Sequence, residues 1–241
     1  GKVAKEISRR GVKITIKADK SPVTDGDLAV DQLLQDKIAN LTPDIPIISE
    51  ETINNLIDDV INFPAPLVFL EDDLAILELF HGPSFAFKDF GARFMSRVMA
   101  HYSKKDNQLL DVLVATSGDT GGAVALGFLG VEGTRVTILY PKGKVSLIQE
   151  LQLTANGKNI RAIEIDGTFD DCQALVKRAF LDKDLMKNLN LTSANSINIS
   201  RLVAQVCYYF EAIAQLPKEK RATAHFSVPS GNFGNVCAAM I

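Results

Sequence analysis

The chain has 241 residues, of which 26 are basic and 29 acidic, and 46% are hydrophobic. This length allows one large or two small domains with a substantial core, and the nearly balanced charge provides no basic surface for nucleic acid. No apolar run approaches the roughly 18 residues of a membrane helix, and no signal peptide is recognised. Because Cys172, Cys207 and Cys237 lack metal-ligand spacing, we expect reduced, buried thiols in a cytoplasmic protein that binds neither nucleic acid nor membrane.

The first part of the chain, residues 1–52, is predicted to form a small α+β segment. Apolar residues alternate over 12–17, which predicts a strand. The run 20–25 is typical of a turn that caps a helix, and an amphipathic helix is expected over 28–38. A short apolar run over 45–48 predicts another strand.

From residue 53 onward, predicted strands and helices alternate along the chain. Strands are predicted over 67–70, 75–80, 111–115, 135–140, 159–165 and 224–228. Helices are predicted over 89–101, 123–129, 145–155, 169–185 and 199–215. This alternation predicts an α/β fold made of parallel βαβ units with right-handed crossovers.

A single lysine, Lys88, lies in the stretch 78–91 among four phenylalanines, just before a predicted helix. Apolar surroundings disfavour the charged ammonium, and a neutral amine is the form that reacts with a carbonyl to give a Schiff base. Taken alone, the stretch favours an ordinary lysine that keeps its charged end in water beside core aromatics. The interpretation of Lys88 therefore depends on the motifs that follow it.

A glycine-containing loop connects the strand predicted over 111–115 to the helix predicted over 123–129. Free amide groups at such a helix start, together with the helix dipole, favour an anion. The alternative is a plain strand-to-helix turn capped by an aspartate. The candidate binding residues of this loop are Ser117, Gly118, Asp119, Thr120 and Gly121.

A second glycine loop follows the strand predicted over 224–228 and opens a helix. Its glycines allow close approach of the backbone and can present several N–H groups to one anion, so it is the stronger phosphate candidate. The candidate residues of this loop are Gly231, Asn232, Phe233, Gly234 and Asn235.

A polar stretch precedes the helix predicted over 199–215. Its amide and guanidinium groups suit a phosphate or carboxylate ligand, although asparagine and serine also cap helices, and both interpretations stay open. The candidate residues are Asn195, Ser196, Asn198 and Arg201.

Taken in order, the stretches 78–91, 115–122, 193–201 and 228–235 resemble the bacterial and fungal type of threonine synthase over about residues 53–241. The resemblance implies a pyridoxal-phosphate enzyme of fold type II, similar to the tryptophan synthase β-subunit and incomplete at its C-terminal end. It implies a lyase of threonine biosynthesis that converts O-phosphohomoserine and water to threonine and phosphate.

The same resemblance implies the roles of the candidate residues. Pyridoxal 5'-phosphate would be the cofactor, and Lys88 would be both the Schiff-base lysine and the proton shuttle. The loop 231–235 would hold the cofactor phosphate. The stretches 117–121 and 195–201 would face O-phosphohomoserine.

Residues 1–52 resemble the N-terminal part of inositol-monophosphatase-type phosphatases instead, closest to those acting on phosphoadenosine phosphosulfate. The matching stretches are 17–27 and 43–51, and Glu50 would be a magnesium ligand. The later aspartate motif that completes that metal cluster does not occur in this chain, so we expect no phosphatase activity. The sequence therefore predicts a chimera of two domains, 1–52 and 53–241.

Two alternatives to the synthase are a non-catalytic, truncated or chimeric fragment and a magnesium-dependent phosphatase. The number of metal ligands already counts against the phosphatase. An incomplete sheet is also expected to expose unpaired edges and apolar surface, which promote self-association.

Overall fold

The computed structural model describes residues 14–16, 22–24, 32, 57, 59–106, 109–195, 198–231 and 233–240. The chain divides into two compact units, Gly1–Asn55 and Leu56–Ile241.

Two short antiparallel strands are described in the first unit, β1 (Ile14–Ile16) and β2 (Pro22–Thr24). The predicted strand is confirmed at β1, but the turn predicted over 20–25 is wrong at β2. Pro22 is tolerated there because it is the first residue of its strand, and the β-branched residues after it favour extended backbone. Glu50 and most of the predicted helix and second strand lie outside the described residues, except that Gln32 is helical.

The second unit is built on a parallel sheet, as the alternating pattern predicts. Its strands are β5 (Leu110–Ala115), β6 (Thr134–Pro141), β7 (Ile160–Ile165) and β8 (Asn190–Ser193). They are ordered β7-β6-β5-β8, and all three pairings are parallel. The sequence did not predict β8, because its polar residues lack the apolar run typical of a buried strand.

A separate antiparallel hairpin precedes this sheet. It consists of β3 (Leu67–Glu71) and β4 (Leu74–Leu77), which pair with a register shift between Phe69 and Glu71. Both predicted strands are confirmed around the acidic turn, although β4 ends earlier than expected.

Helices follow the strands closely along the chain. They are α1 (Lys88–Asp106), α2 (Asp119–Phe128), α3 (Leu147–Thr154), α4 (Phe169–Leu181), α5 (Lys183–Asn188), α6 (Ile199–Gln215) and α7 (Gly234–Met240), with a 3₁₀ helix over Lys218–Thr223. The helix predicted over 169–185 is in fact two helices. Asp182 divides them, because its carboxylate accepts hydrogen bonds from the N–H groups of Asp184 and Leu185 and caps α5.

The strand predicted over 224–228 is wrong. The backbone from 224 to 230 is irregular, and most of its residues are exposed. No described strand pairs with this segment. High β-propensity without a partner strand does not produce a strand.

The main apolar core joins α1, α2 and the sheet, and includes Met95, Val112, Phe128 and Ile138. A smaller cluster contains Leu139 of β6 together with Cys172 and Val176 of α4.

Helices α1 and α6 approach each other closely at Gly91. A Cβ built on this glycine would lie 2.7 Å from the carbonyl oxygen of Arg201, so a side chain there would force the helices apart. The large apolar residues of α6 would be expected to form its buried side, but the structure buries a different set of residues. It consists of Arg201, Ala204, Gln205, Tyr208 and Ala212, whereas Phe210 is 71% exposed.

The three cysteines are free thiols, but only Cys172 is buried. Cys207 and Cys237 are exposed, so the prediction of three buried thiols is wrong for both. In the part of the chain that the structure describes, no helix has the length and hydropathy needed to cross a membrane.

Candidate functional site

A cavity of about 620 Å³ lies where β5 and β8 end and α1 and α6 begin. Its wall contains several of the residues singled out by the sequence, namely Lys88, Ser117, Thr120, Asn195, Arg201, Gly234 and Asn235. The candidates that do not line it are Gly118, Asp119, Gly121, Asn198, Gly231 and Phe233. Ser196 and Asn232 lie outside the described residues. Parallel strands end at a common edge, which explains how loops far apart in sequence meet here.

Lys88 is the first residue of α1 and extends toward the start of α2. Its Nζ lies 3.5 Å from Oδ2 of Asp119 and 4.7 Å from the ring centroid of Phe87. The aromatic surroundings expected from the sequence are present at Phe87, and the amine also has a carboxylate partner that the sequence did not indicate.

The first glycine loop is organised by a buried hydroxyl group that was not among the predicted site residues. Oγ1 of Thr116 accepts hydrogen bonds from the N–H groups of Gly118, at 3.0 Å, and Gly121, at 2.8 Å. The chain itself thus satisfies two of the amides expected to bind an anion. Threonine directly before the loop is the signal that could have revealed this, since threonine commonly accepts such bonds at helix starts.

Gly118 has a φ of +138°, a backbone conformation that side chains rarely adopt. Asp119, which follows it, uses both carboxylate oxygens within the protein. Oδ1 accepts a hydrogen bond from Nε2 of Gln149 at 2.7 Å, and Oδ2 faces Lys88. The structure therefore places the Asp119 carboxylate beside the lysine and outside the cavity wall.

The two described asparagines of the polar stretch have structural partners. Nδ2 of Asn195 donates to the carbonyl of Ala115 at 2.9 Å, which extends the pairing of β5 with β8 by one side chain. Oδ1 of Asn198 accepts from the N–H of Ser200 at 3.1 Å and caps α6. Of the two open interpretations, helix capping describes Asn198, and its side chain does not reach the cavity wall.

Arg201 differs from these asparagines because part of its polar group has no partner. The residue is 3% exposed, and its Nη1 donates to the carbonyl of Ala194 at 3.0 Å. Its Nε is buried without a hydrogen-bond partner among the described residues. Burial lowers the pKa of Arg201 to about 10, so the guanidinium still carries its charge at neutral pH. A buried cation with an unused donor on a cavity wall is suited to an anionic ligand.

Gln205 lies one turn further along α6 and also lines the cavity, although it was not among the predicted site residues. Its Nε2 donates to the carbonyl of Arg201 at 3.0 Å, and its Oε1 accepts from the hydroxyl of Tyr208 at 3.3 Å. The i, i+4 spacing from Arg201 is the pattern that could have indicated it.

Among the described residues of the second glycine loop, the last two, Gly234 and Asn235, line the cavity. Asn235 is 7% exposed, and its Oδ1 accepts a hydrogen bond from the hydroxyl of Ser230 at 2.7 Å. A Cβ on Gly231 would meet no atom within 4 Å, and Phe233 is 70% exposed. Thus Gly234 and Asn235 line the cavity, whereas Gly231 and Phe233 do not.

Asp89 is buried beside Lys88 with 0% exposure. Its Oδ2 accepts from the N–H of Ser84 at 2.8 Å, while its Oδ1 has no partner among the described residues. Burial raises the pKa of Asp89 above 3.8, although its hydrogen bonds with Ser84 and the charge of Arg93 act in the opposite direction. The folded protein therefore binds this proton more tightly than the unfolded chain does.

This pKa difference predicts a pH dependence of stability. The stability that protonated Asp89 contributes to the folded state is fully present below pH 3.8. It is lost as the pH rises through the raised pKa of the folded protein. Replacing Asp89 with asparagine removes the ionisation, so the free energy of unfolding of Asp89→Asn should improve relative to the wild type as pH rises from about 4 to 8. Urea unfolding at a series of pH values measures this difference, and a difference that does not change with pH would contradict the prediction.

Residues 64–241 match a protein-family model described as pyridoxal-phosphate dependent enzyme. The chain belongs to this family. This match confirms the predicted fold class. It also confirms, at the level of the family, the expectation that pyridoxal phosphate is the cofactor.

Threonine synthases are among the family members that this chain is similar to. The enzyme of Haemophilus influenzae is 55% identical over 192 residues, which make up 80% of this chain and 45% of that protein. A crystal structure of threonine synthase from Escherichia coli has a TM-score of 0.74 at 47% identity, covering 88% of this chain and 51% of the other. Pyridoxal-phosphate-bound threonine synthase from Brucella melitensis also has a TM-score of 0.74, at 33% identity, with 93% and 52% covered. The chain thus spans about half the length of these relatives.

Proposed function

We propose that this chain carries the cofactor-holding part of a threonine synthase, the lyase that converts O-phosphohomoserine and water to threonine and phosphate. The observation that carries the proposal is a single cavity lined by both the Lys88 amine and the buried guanidinium of Arg201. An amine that can react with an aldehyde and a cation that can bind an anion are the two groups this reaction requires. The similarity to known threonine synthases supports the choice of substrate.

The residues on the cavity wall fit pyridoxal phosphate and a phosphorylated amino acid. Lys88 would hold the cofactor covalently through its amine, and Gly234 and Asn235 would lie near its phosphate. When bound, pyridoxal phosphate supplies an electron sink for carbanions. The Lys88 amine, with Asp119 next to it, would be the base that moves protons at the reacting carbons.

The anionic substrate would be held by Arg201, which lines the same cavity. Its Nε needs a partner, and a phosphate or carboxylate oxygen would provide one. The apolar side chains of Phe87, Phe169 and Phe180 on the wall would reduce the access of water to the reacting groups.

The experiment that tests this function is a pyridoxal-phosphate titration of the purified chain, followed by borohydride reduction and peptide mapping. We expect a saturable visible absorbance and a reduced label on Lys88. Addition of O-phosphohomoserine should then change the absorbance and release inorganic phosphate. Label spread over many exposed lysines, without saturation, would contradict the proposal.

The proposal includes the division of the chain into residues 1–52 and 53–241, with all cofactor chemistry in the second part. Three observations support this division: the family match begins at residue 64, the first compact unit ends at Asn55, and every residue lining the cavity follows that point. A cytoplasmic location and self-association through the exposed apolar side chains of β3 and β4 belong to the same proposal.

The phosphatase-like origin of residues 1–52 stays a prediction. Glu50 and most of the matching stretches lie outside the described residues. Across the described part of the chain, no three histidine, cysteine, aspartate or glutamate side chains are grouped so that they could hold a metal ion.

A further inference from the structure

Helix α3 is connected to Lys88 through a chain of polar contacts that neither the sequence motifs nor the similarity to known enzymes assigns. Gln149 lies in the first turn of α3 and donates from Nε2 to Oδ1 of Asp119 at 2.7 Å. The other oxygen of that carboxylate, Oδ2, lies 3.5 Å from the Nζ of Lys88. The first turn of α3 and the first residues of α1 and α2 thus meet at one carboxylate.

Both ends of the Gln149 carboxamide are occupied, which fixes its orientation. Its Oε1 accepts from the N–H of Ser146 at 3.0 Å, and the N–H of Gln149 donates to Oγ of Ser146 at 3.3 Å, so the pair forms a capping box. Only the amide nitrogen is then left to face Asp119. The backbone N–H of Ser146, bonded to Oε1, therefore orients the donor that holds the carboxylate.

The backbone next to Asp119 leaves space for this carboxamide. A Cβ at Gly118 would overlap the Gln149 side chain, and the φ of +138° at Gly118 also favours glycine. The loop can pass close to the Gln149 side chain because Gly118 has no side chain of its own. The φ of Gly118 thus favours glycine at this position, and a side chain there would displace the Gln149 carboxamide.

We infer that Gln149 is a positioning residue, which holds the Asp119 carboxylate against the Lys88 amine. The inference rests on the proposed function in one respect: the contact matters for the reaction only if Lys88 carries the cofactor. The contact itself belongs to the chain without cofactor. It can therefore be tested independently of cofactor binding.

The test measures the reactivity of the Lys88 amine in the chain without pyridoxal phosphate. Limiting formaldehyde and cyanoborohydride methylate lysines at a fixed pH, and peptide mass spectrometry compares Lys88 with the exposed Lys187 as an internal standard. In Gln149→Met the carboxylate loses its anchor, so the contact that engages the Lys88 amine, with Nζ 3.5 Å from Oδ2, is loosened and the amine becomes more available to the reagent. We expect methylation of Lys88 to become about two- to fivefold faster, the range expected for a partly exposed ion pair.

Two further variants separate positioning from stability. Ser146→Ala breaks the other half of the capping box without touching Asp119, so it should weaken α3 in urea unfolding but leave the methylation rate of Lys88 unchanged. Asp119→Ala should accelerate methylation, and adding Gln149→Met to it should produce no further change, because Gln149 acts through that carboxylate.

The inference is overturned if Gln149→Met leaves the rate at the wild-type value, or if Ser146→Ala accelerates methylation as much. It is also overturned if Asp119→Ala does not change the methylation rate of Lys88, or if the effects of Asp119→Ala and Gln149→Met on that rate are additive. A failure of the proposed function would appear differently, as missing saturable label in the cofactor titration while these methylation rates still follow the expected pattern.

Discussion

Replacement of Lys88 by alanine is expected to abolish the saturable, borohydride-fixed label of pyridoxal phosphate. Among the described residues, Lys88 and Lys177 are the lysines that line the cavity, and of these two Lys88 has its amine 3.5 Å from a carboxylate oxygen. If the chain turns over O-phosphohomoserine, the rate should also fall by at least about 10²- to 10⁴-fold, the usual contribution of a positioned acid or base. Absorbance titration and intact-mass analysis after reduction measure the label.

The matched control is Lys142→Ala. Lys142 is an exposed lysine immediately after β6 and does not line the cavity, so its loss should leave the label stoichiometric and on Lys88. Lys88→Arg provides a second comparison, because it keeps the positive charge but cannot form a Schiff base. Label at wild-type stoichiometry in Lys88→Ala would show that another lysine holds the cofactor.

The fold of the second unit was largely predictable because its signals are local. Periodic apolar residues identified β5, β6 and β7, and helix α6 was predicted with the bounds that it has in the structure, 199–215. The misses depend on partners that no local pattern contains. The polar segment β8 is a strand because it pairs with β5, whereas 224–228 pairs with no described strand and stays irregular.

The location of the candidate site was predictable, but the contacts of each side chain were not. Motif order singled out Lys88 and Arg201, which line the same cavity. The motifs could not show that the Asn195 amide bonds to β5 and that the Asn198 amide caps α6. Capping and ligand binding use the same hydrogen-bonding groups. Thr116 was missed for the related reason that an internal acceptor satisfies the same N–H groups as a bound anion.

The burial of α6 shows the same limit in energetic terms. Hydrophobicity predicts that large apolar residues face inward, yet the buried stripe of α6 includes Arg201 and Gln205. A buried cation is costly unless something compensates it, and the described residues provide only one carbonyl acceptor for Arg201. The cost is reasonable if an anionic ligand supplies the missing partner during function.

Replacement of Arg201 by methionine should therefore weaken ligand binding much more than it weakens the fold. A hydrogen bond to a charged group contributes about 1.5–3 kcal/mol, so the dissociation constant of O-phosphohomoserine should rise by roughly 10- to 150-fold. Methionine fills similar volume without a buried charge, and such exchanges often leave stability nearly unchanged. The change in cofactor absorbance on adding substrate measures binding, and urea unfolding measures stability.

Arg135→Met is the matched control for this substitution. Arg135 pairs with Asp111 on the sheet, with 2.6 Å between Nε and Oδ1, and does not line the cavity, so its loss should not change the dissociation constant. Arg201→Lys should recover only part of the affinity, because an ammonium keeps the charge without the planar fork of donors. If Arg201→Met bound O-phosphohomoserine as tightly as the wild type, the unpaired Nε would have no role in substrate binding, and the buried cation would require a purely structural explanation.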